Sequence, residues 1–162
     1  MIGIIDLSEE GRVERIPSNF DRVKSYRMTR EGWDSYWELR ISKTRKRMRE
    51  DITNFRKKEE YKTLEDINHI YALVMPLSVF SRDQESGKFY EDLKFAVMFL
   101  NEENMEPEVI AHESLHLAMC HERFIRFNMN YENNSSIRNE ERLAYFLMDC
   151  VKSVNVAAKY KK

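Results

Sequence analysis

Two cysteines, three prolines and four glycines in 162 residues leave little material for cross-links, kinks or repeated tight turns. Cys120 and Cys150 are too few for a disulfide framework, and neither belongs to a CxxC pair. That excludes a disulfide-stapled secreted scaffold and points to a reducing compartment. Long apolar runs are also missing. The longest, Ile70 to Phe80, falls short of the roughly 20 residues that span a bilayer and contains Pro76, so no membrane segment is expected. Neither sign of charge prevails: 27 Lys and Arg meet 28 Asp and Glu, so no global field draws the chain to nucleic acid or to a lipid surface. The first ten residues lack both the basic start and the apolar stretch of a signal peptide, and a cytoplasmic location is the expectation.

What is present suits one compact domain over residues 1–162, since 42% of the chain is hydrophobic. Ile2 to Asp6 and Val13 to Pro17 flank a polar stretch with Gly11 and read as a short hairpin or a pair of strand fragments within an N-terminal segment of strands or extended chain, 1–28. Residues 29–62 contain no proline, and Trp33, Tyr36, Trp37, Ile41, Met48, Ile52 and Phe55 fall mostly at helical spacings. This predicts one long or broken charged helix, with the aromatic residues on its core face. Residues 63–162 then form the remainder of the core. A short helical turn is expected at Thr63 to Asp66. His69 to Phe80 and Leu93 to Leu100 are apolar, β-rich runs joined by a polar segment with Gly87, the pattern of a second hairpin. Pro107 between Glu106 and Glu108 opens a helix that runs to about Arg126. After an Asn- and Ser-rich loop, a last helix from about Ile137 to Lys159 gathers Leu143, Phe146, Leu147, Cys150, Val151 and Val154 on one face. The fold class is α+β, with a small, mostly antiparallel sheet.

The helix opened by Pro107 carries His112-Glu113-Ser114-Leu115-His116. Histidines four apart share a helix face one turn from each other, so both imidazoles reach one metal ion, and Zn2+ is the ion that this pattern suits. Glu113 stands beside the pair, where its carboxylate can take a proton from water activated by the metal. Val109, Ile110, Leu115, Leu117 and Met119 suggest that the helix is buried. Catalytic zinc takes three protein ligands, so the pair needs a third. The last helix offers Glu141, with Glu140 as the neighbour pointing about 100° away and Glu132 as a remoter acid. On that helix Ala144 permits close approach, and Tyr145 lies where it could hydrogen-bond the ligand shell or an oxyanion.

These residues resemble the gluzincin branch of HExxH metallopeptidases, in which a glutamate on a downstream helix completes the zinc site. The short cytoplasmic metallopeptidases of phage and mobile elements, including those that act on immunity repressors, are similar in size and in the EExxA helix. The resemblance covers about residues 70–150. It implies a minimal zincin-like fold whose C-terminal helix supplies the third ligand. It also implies His112, His116 and Glu141 as ligands, Glu113 as general base, and a peptide or protein substrate laid along Leu93 to Leu100 as an edge strand. Tyr145 departs from thermolysin, where an aspartate orients the first histidine. The metzincin pattern is excluded, because His121 is five positions after His116 rather than six and no glycine intervenes.

Several residues carry a plainer reading. Cys120, a further turn along from His116, is expected to be a structural thiol, His69 a surface histidine at a strand start, and Tyr131 a packed or surface tyrosine. The basic run from Arg40 to Lys58 is interleaved with Glu38, Glu50, Asp51, Glu59 and Glu60, as on a solvated helix, which disfavours a nucleic-acid partner. The expectation is a zinc metallopeptidase. The competing reading is a catalytically silent zinc-binding interaction protein of a phage or mobile element that keeps the HExxH helix as a scaffold.

Overall fold

The computed structural model describes residues 4–6, 11–16, 23–30, 35–58, 68–77, 93–128 and 136–159. It shows six strands, β1 (Ile4–Asp6), β2 (Gly11–Ile16), β3 (Val23–Arg30), β4 (Ser35–Ser42), β5 (Leu73–Pro76) and β6 (Leu93–Asn101). Three helices accompany them, α1 (Arg45–Lys58), α2 (Pro107–Asn128) and α3 (Ser136–Lys159), with a 3-10 turn at Glu102–Asn104. The sheet order is β1-β2-β3-β4-β6-β5, antiparallel throughout except where β4 runs parallel to β6. This is an α+β fold. No helix among the described residues is long and apolar enough to cross a membrane.

The sheet is packed on both faces. Met48 and Ile52 of α1 meet Met75, Val97 and Phe99 on one side. On the other, Val13, Tyr26, Leu39, Ile41, Val74, Met98 and Leu100 pack under Ile110, Leu117 and Ala118 of α2 and Phe146, Cys150, Val154 and Ala157 of α3. Strand alternation produces this division: in β6 the even residues from Ala96 to Leu100 face α2 and α3, and Val97 and Phe99 face α1. Phe95 breaks the alternation. The β4–β6 register passes from Tyr36 opposite Lys94 to Trp37 opposite Ala96, so Phe95 is the extra residue of a bulge. The bulge turns its ring to the α2–α3 side, against His121 and Phe146.

The N-terminal hairpin, the β5–β6 hairpin, α2 and α3 fall where the sequence places them. The long helix over 29–62 does not. Residues 35–42 are strand β4, and the helix starts only at Arg45. Trp37, Leu39 and Ile41 alternate with Glu38 and Arg40, a period of two that the spacing of Trp33, Tyr36 and Trp37 disguises as a helical face. Thr44 separates the two elements: its hydroxyl accepts from the Arg47 N–H at 3.1 Å and its carbonyl from the Met48 N–H at 3.0 Å, which caps α1. Glu38 and Arg40 are not on a solvated face either. Arg40 donates two hydrogen bonds to Asp51 of α1, at 2.7 and 2.8 Å, and one each to Glu38 and Ser25. Lys94 reaches the second oxygen of Glu38 at 3.0 Å. The run read as a solvated basic face thus includes a charge network that fastens α1 to the sheet.

A second correction concerns the edge. Leu93 to Leu100 lies in β6, which is interior, between β4 and β5. Among the described residues, the edge on this side is β5, which pairs with β6 alone. The helical turn expected at Thr63 to Asp66 lies outside the described residues.

Candidate metal centre

Helix α2 begins at Pro107, whose missing N–H costs nothing in a first turn, with Glu108 favouring the positive end of the helix dipole. The Ile110 N–H donates to the Glu106 carbonyl at 3.1 Å. One face of α2 enters the core through Ile110, Glu113, Ser114, Leu117, Ala118 and His121, all buried. The opposite face presents His112 and His116. Leu115 and Met119 belong to that outer face as well, 45% and 46% exposed, so the expectation that they help bury the helix is corrected. The cause is helical geometry: residues 112, 115, 116 and 119 form one stripe, and the stripe points away from the sheet.

The histidines converge. Their Nε2 atoms are 3.1 Å apart and the ring planes meet at 69°. Two imidazole ligands of a tetrahedral zinc, each about 2.05 Å from it, have nitrogens about 3.3 Å apart. The pair is therefore already close to the separation that a shared ion requires. Between neutral rings at this distance one nitrogen donates and the other accepts, in the order the tautomers set.

Glu113 lies behind the pair in a different environment. It is buried, with Oε1 4.0 Å from His112 Nε2, and the backbone N–H of Val74 on β5 donates to its carboxyl. Its other oxygen, Oε2, is buried and has no hydrogen-bond partner among the described residues. Burial pushes its pKa above the ordinary glutamate value, while the two histidines and the Val74 N–H act in the opposite direction. A carboxylate raised in this way, with one oxygen unsatisfied, is suited to accepting a proton.

No third ligand joins the pair among the described residues. Among the described residues, no group of three His, Cys, Asp or Glu forms that could hold a metal ion. Glu141 is exposed on α3. Near the loop end of the α2–α3 pair, Arg142 donates to both carboxylate oxygens of Glu122 at 2.8 and 2.7 Å, and the ring of Phe146 stacks on His121 at 4.1 Å. These rungs put Glu141 about level with residue 124 of α2, roughly 12 Å along the helix axis beyond His116. Tyr145 is 60% exposed on the same helix. The side chain of Glu140, and Tyr131 and Glu132, lie outside the described residues.

The plainer readings fare variously. His121 is buried against Phe95 and Phe146, away from the outward stripe. Cys120 is half-buried, and burial raises its pKa against the pull of Arg123. His69 is exposed, in a turn ahead of β5 rather than at a strand start. Two features of the site had no sequence signal: the amide of Val74 on Glu113, which depends on a contact across 39 positions, and the exposure of Leu115, Met119, Tyr145 and Met148. No protein-family model matches the chain, and neither a curated protein nor a solved structure matches it.

Proposed function

We propose that this chain is a zinc-dependent metallopeptidase in which His112 and His116 hold the metal and Glu113 is the general base. The observation that carries the reading is the juxtaposition of two imidazole nitrogens 3.1 Å apart with a buried carboxylate 4.0 Å away. Zinc in such a site supplies Lewis acidity toward a peptide carbonyl and its attacking water. Glu113 takes the proton of that water and delivers it to the departing amine, a role for which its raised pKa and unsatisfied Oε2 prepare it. Glu141 is the third ligand that the gluzincin resemblance assigns, with Glu140 as its alternative. Either requires the start of α3 to close on the histidines. Tyr145, one turn further along α3, would follow and could donate to an oxyanion.

The substrate of this reading is an extended peptide on β5. The Leu77 N–H bonds to the Phe95 carbonyl, so the odd residues of β5 face β6 and Ala72, Val74 and Pro76 turn their backbone outward. Pro76 has no N–H, and that of Val74 already serves Glu113. An incoming strand therefore competes with Glu113 for the Val74 amide. Two cysteines, too few for a disulfide framework, fit a cytoplasmic enzyme.

The silent zinc-binding scaffold is the second reading, favoured by one observation: only two ligands come together among the described residues. One experiment separates the two. Zinc content is measured for the wild type and for His116→Ala, and hydrolysis of a peptide library is followed with and without a chelator and for Glu113→Gln. The metallopeptidase reading expects about one zinc per chain that His116→Ala loses, with chelator-sensitive turnover that Glu113→Gln abolishes while keeping the metal. Absence of zinc from the wild type overturns both readings. Zinc without turnover leaves the scaffold.

A further inference from the structure

A cavity of about 500 Å3 opens at one end of the sheet, lined by Arg15, Val23, Lys24, Ile41, Lys43 and Glu102. It shares no residue with the histidine pair. Strand alternation builds it. Arg15 follows Val13 by two positions and Lys24 precedes Tyr26 by two, so both stand on the sheet face that carries the α2–α3 core, and Lys24 is directly opposite Ile41 in the β3–β4 register. Lys43 follows Ile41 just past the end of β4. The result is a lining in which three cations ring Ile41, which is buried.

The cations are held differently. Arg15 is fixed, its Nη1 donating to the Ser25 carbonyl at 3.0 Å and its guanidinium lying 5.1 Å from the centre of the Tyr26 ring. Lys43 is paired with Glu102 at 3.2 Å, an exposed contact that contributes little and is readily exchanged. Three positive charges against one negative leave the lining at about +2, in a chain whose net charge is −1.

We infer that this cavity binds an organic phosphate monoester, with the phosphate between Arg15, Lys24 and Lys43 and its organic group over Ile41. A monoester carries a charge of about −1.5 to −2 near neutral pH, which matches the surplus of the lining. The Arg15 fork suits two phosphate oxygens, and the lysines act as mobile point charges. The volume decides between an inorganic and an organic anion: small-molecule sites span about 300–1,000 Å3, and bare phosphate leaves most of this cavity unfilled.

The test is calorimetric titration of the full chain with AMP and with 1-naphthyl phosphate, set against inorganic phosphate, adenosine and 1-naphthol. At least one ester is expected to bind, and its phosphate-free alcohol and inorganic phosphate each to bind at least tenfold more weakly. Lys24→Glu and Lys43→Glu are expected to weaken the ester at least tenfold with an unchanged thermal unfolding midpoint, while Lys46→Glu, outside the lining, leaves it intact. Failure of both esters to bind overturns the proposal, as does wild-type affinity in both lining variants or inorganic phosphate binding as tightly as the ester. A twelve-nucleotide single strand that displaces the ester equally with and without a 5′-phosphate would assign the cations to a nucleic-acid backbone and likewise overturn it.

Discussion

Glu113 shows how one side chain can be costly to the fold and suited to chemistry. Its carboxyl is buried, accepts from the Val74 N–H, and has one oxygen without a partner among the described residues. Burial dominates and raises its pKa, so the folded chain holds the proton more tightly than the unfolded chain does. The stability linked to that proton is complete below the ordinary glutamate pKa and is lost as pH rises through the raised value. In metal-free protein, Glu113→Gln should therefore melt higher than the wild type at pH 8, with the gap narrowing as pH falls toward 4. Thermal melts across that range check it, and a gap that widens on acidification would mean that the histidines outweigh burial. The motif itself, His112, Glu113 and His116, was legible in the sequence because helix geometry alone brings i and i+4 together. The amide that engages Glu113 was not, because it comes from a strand of another segment.

At the scale of elements, local signals and tertiary ones part company. Helix α2 was readable from Pro107 and its acidic neighbours, α3 from its apolar period, and the two hairpins from β-rich runs around polar turns. Strand β4 was not, because it is buried on both faces and carries Glu38 and Arg40, residues that favour the reading of a solvated helix. Those charges are tolerated because Asp51 of α1 and Lys94 of β6 meet them, and neither partner can be inferred from the strand itself. Removing one member should expose that dependence. Asp51→Ala leaves Arg40 with its two main hydrogen bonds unmade and should cost about 3 kcal/mol in urea unfolding. Asp51→Ala combined with Arg40→Met should cost less than Asp51→Ala alone, since the stranded charge goes too. Phe95 makes the same point for packing: only the register shift against β4 turns it toward His121 and Phe146. Phe95→Ala should lower stability by about 3 kcal/mol, measured in the same assay.

For the whole molecule, the metallopeptidase reading turns on how the α2–α3 pair would meet a metal. The sequence supports a third ligand on α3 because a helix, a loop and a helix can return Glu141 to His116, and the chain length between them permits it. The packing places the return differently, with Arg142 on Glu122 and Phe146 on His121, so that Glu141 stands about two turns beyond the histidines, roughly 12 Å away. A ligand that binds only the folded chain stabilises it by about 2.7 kcal/mol at a hundredfold excess over its Kd, and that stabilisation appears in whichever elements the ligand ties together. Zinc held by His112 and His116 alone should slow amide exchange in α2 and leave α3 unchanged. Zinc completed by Glu141 or Glu140 should also protect the first turns of α3, and Glu141→Ala should remove that protection if Glu141 is the ligand. Hydrogen exchange with and without zinc reads both outcomes directly. With the metallopeptidase reading, the expectation is protection across both helices; protection confined to α2 would take the third ligand away from α3 and leave the histidine pair as an open, two-point metal site.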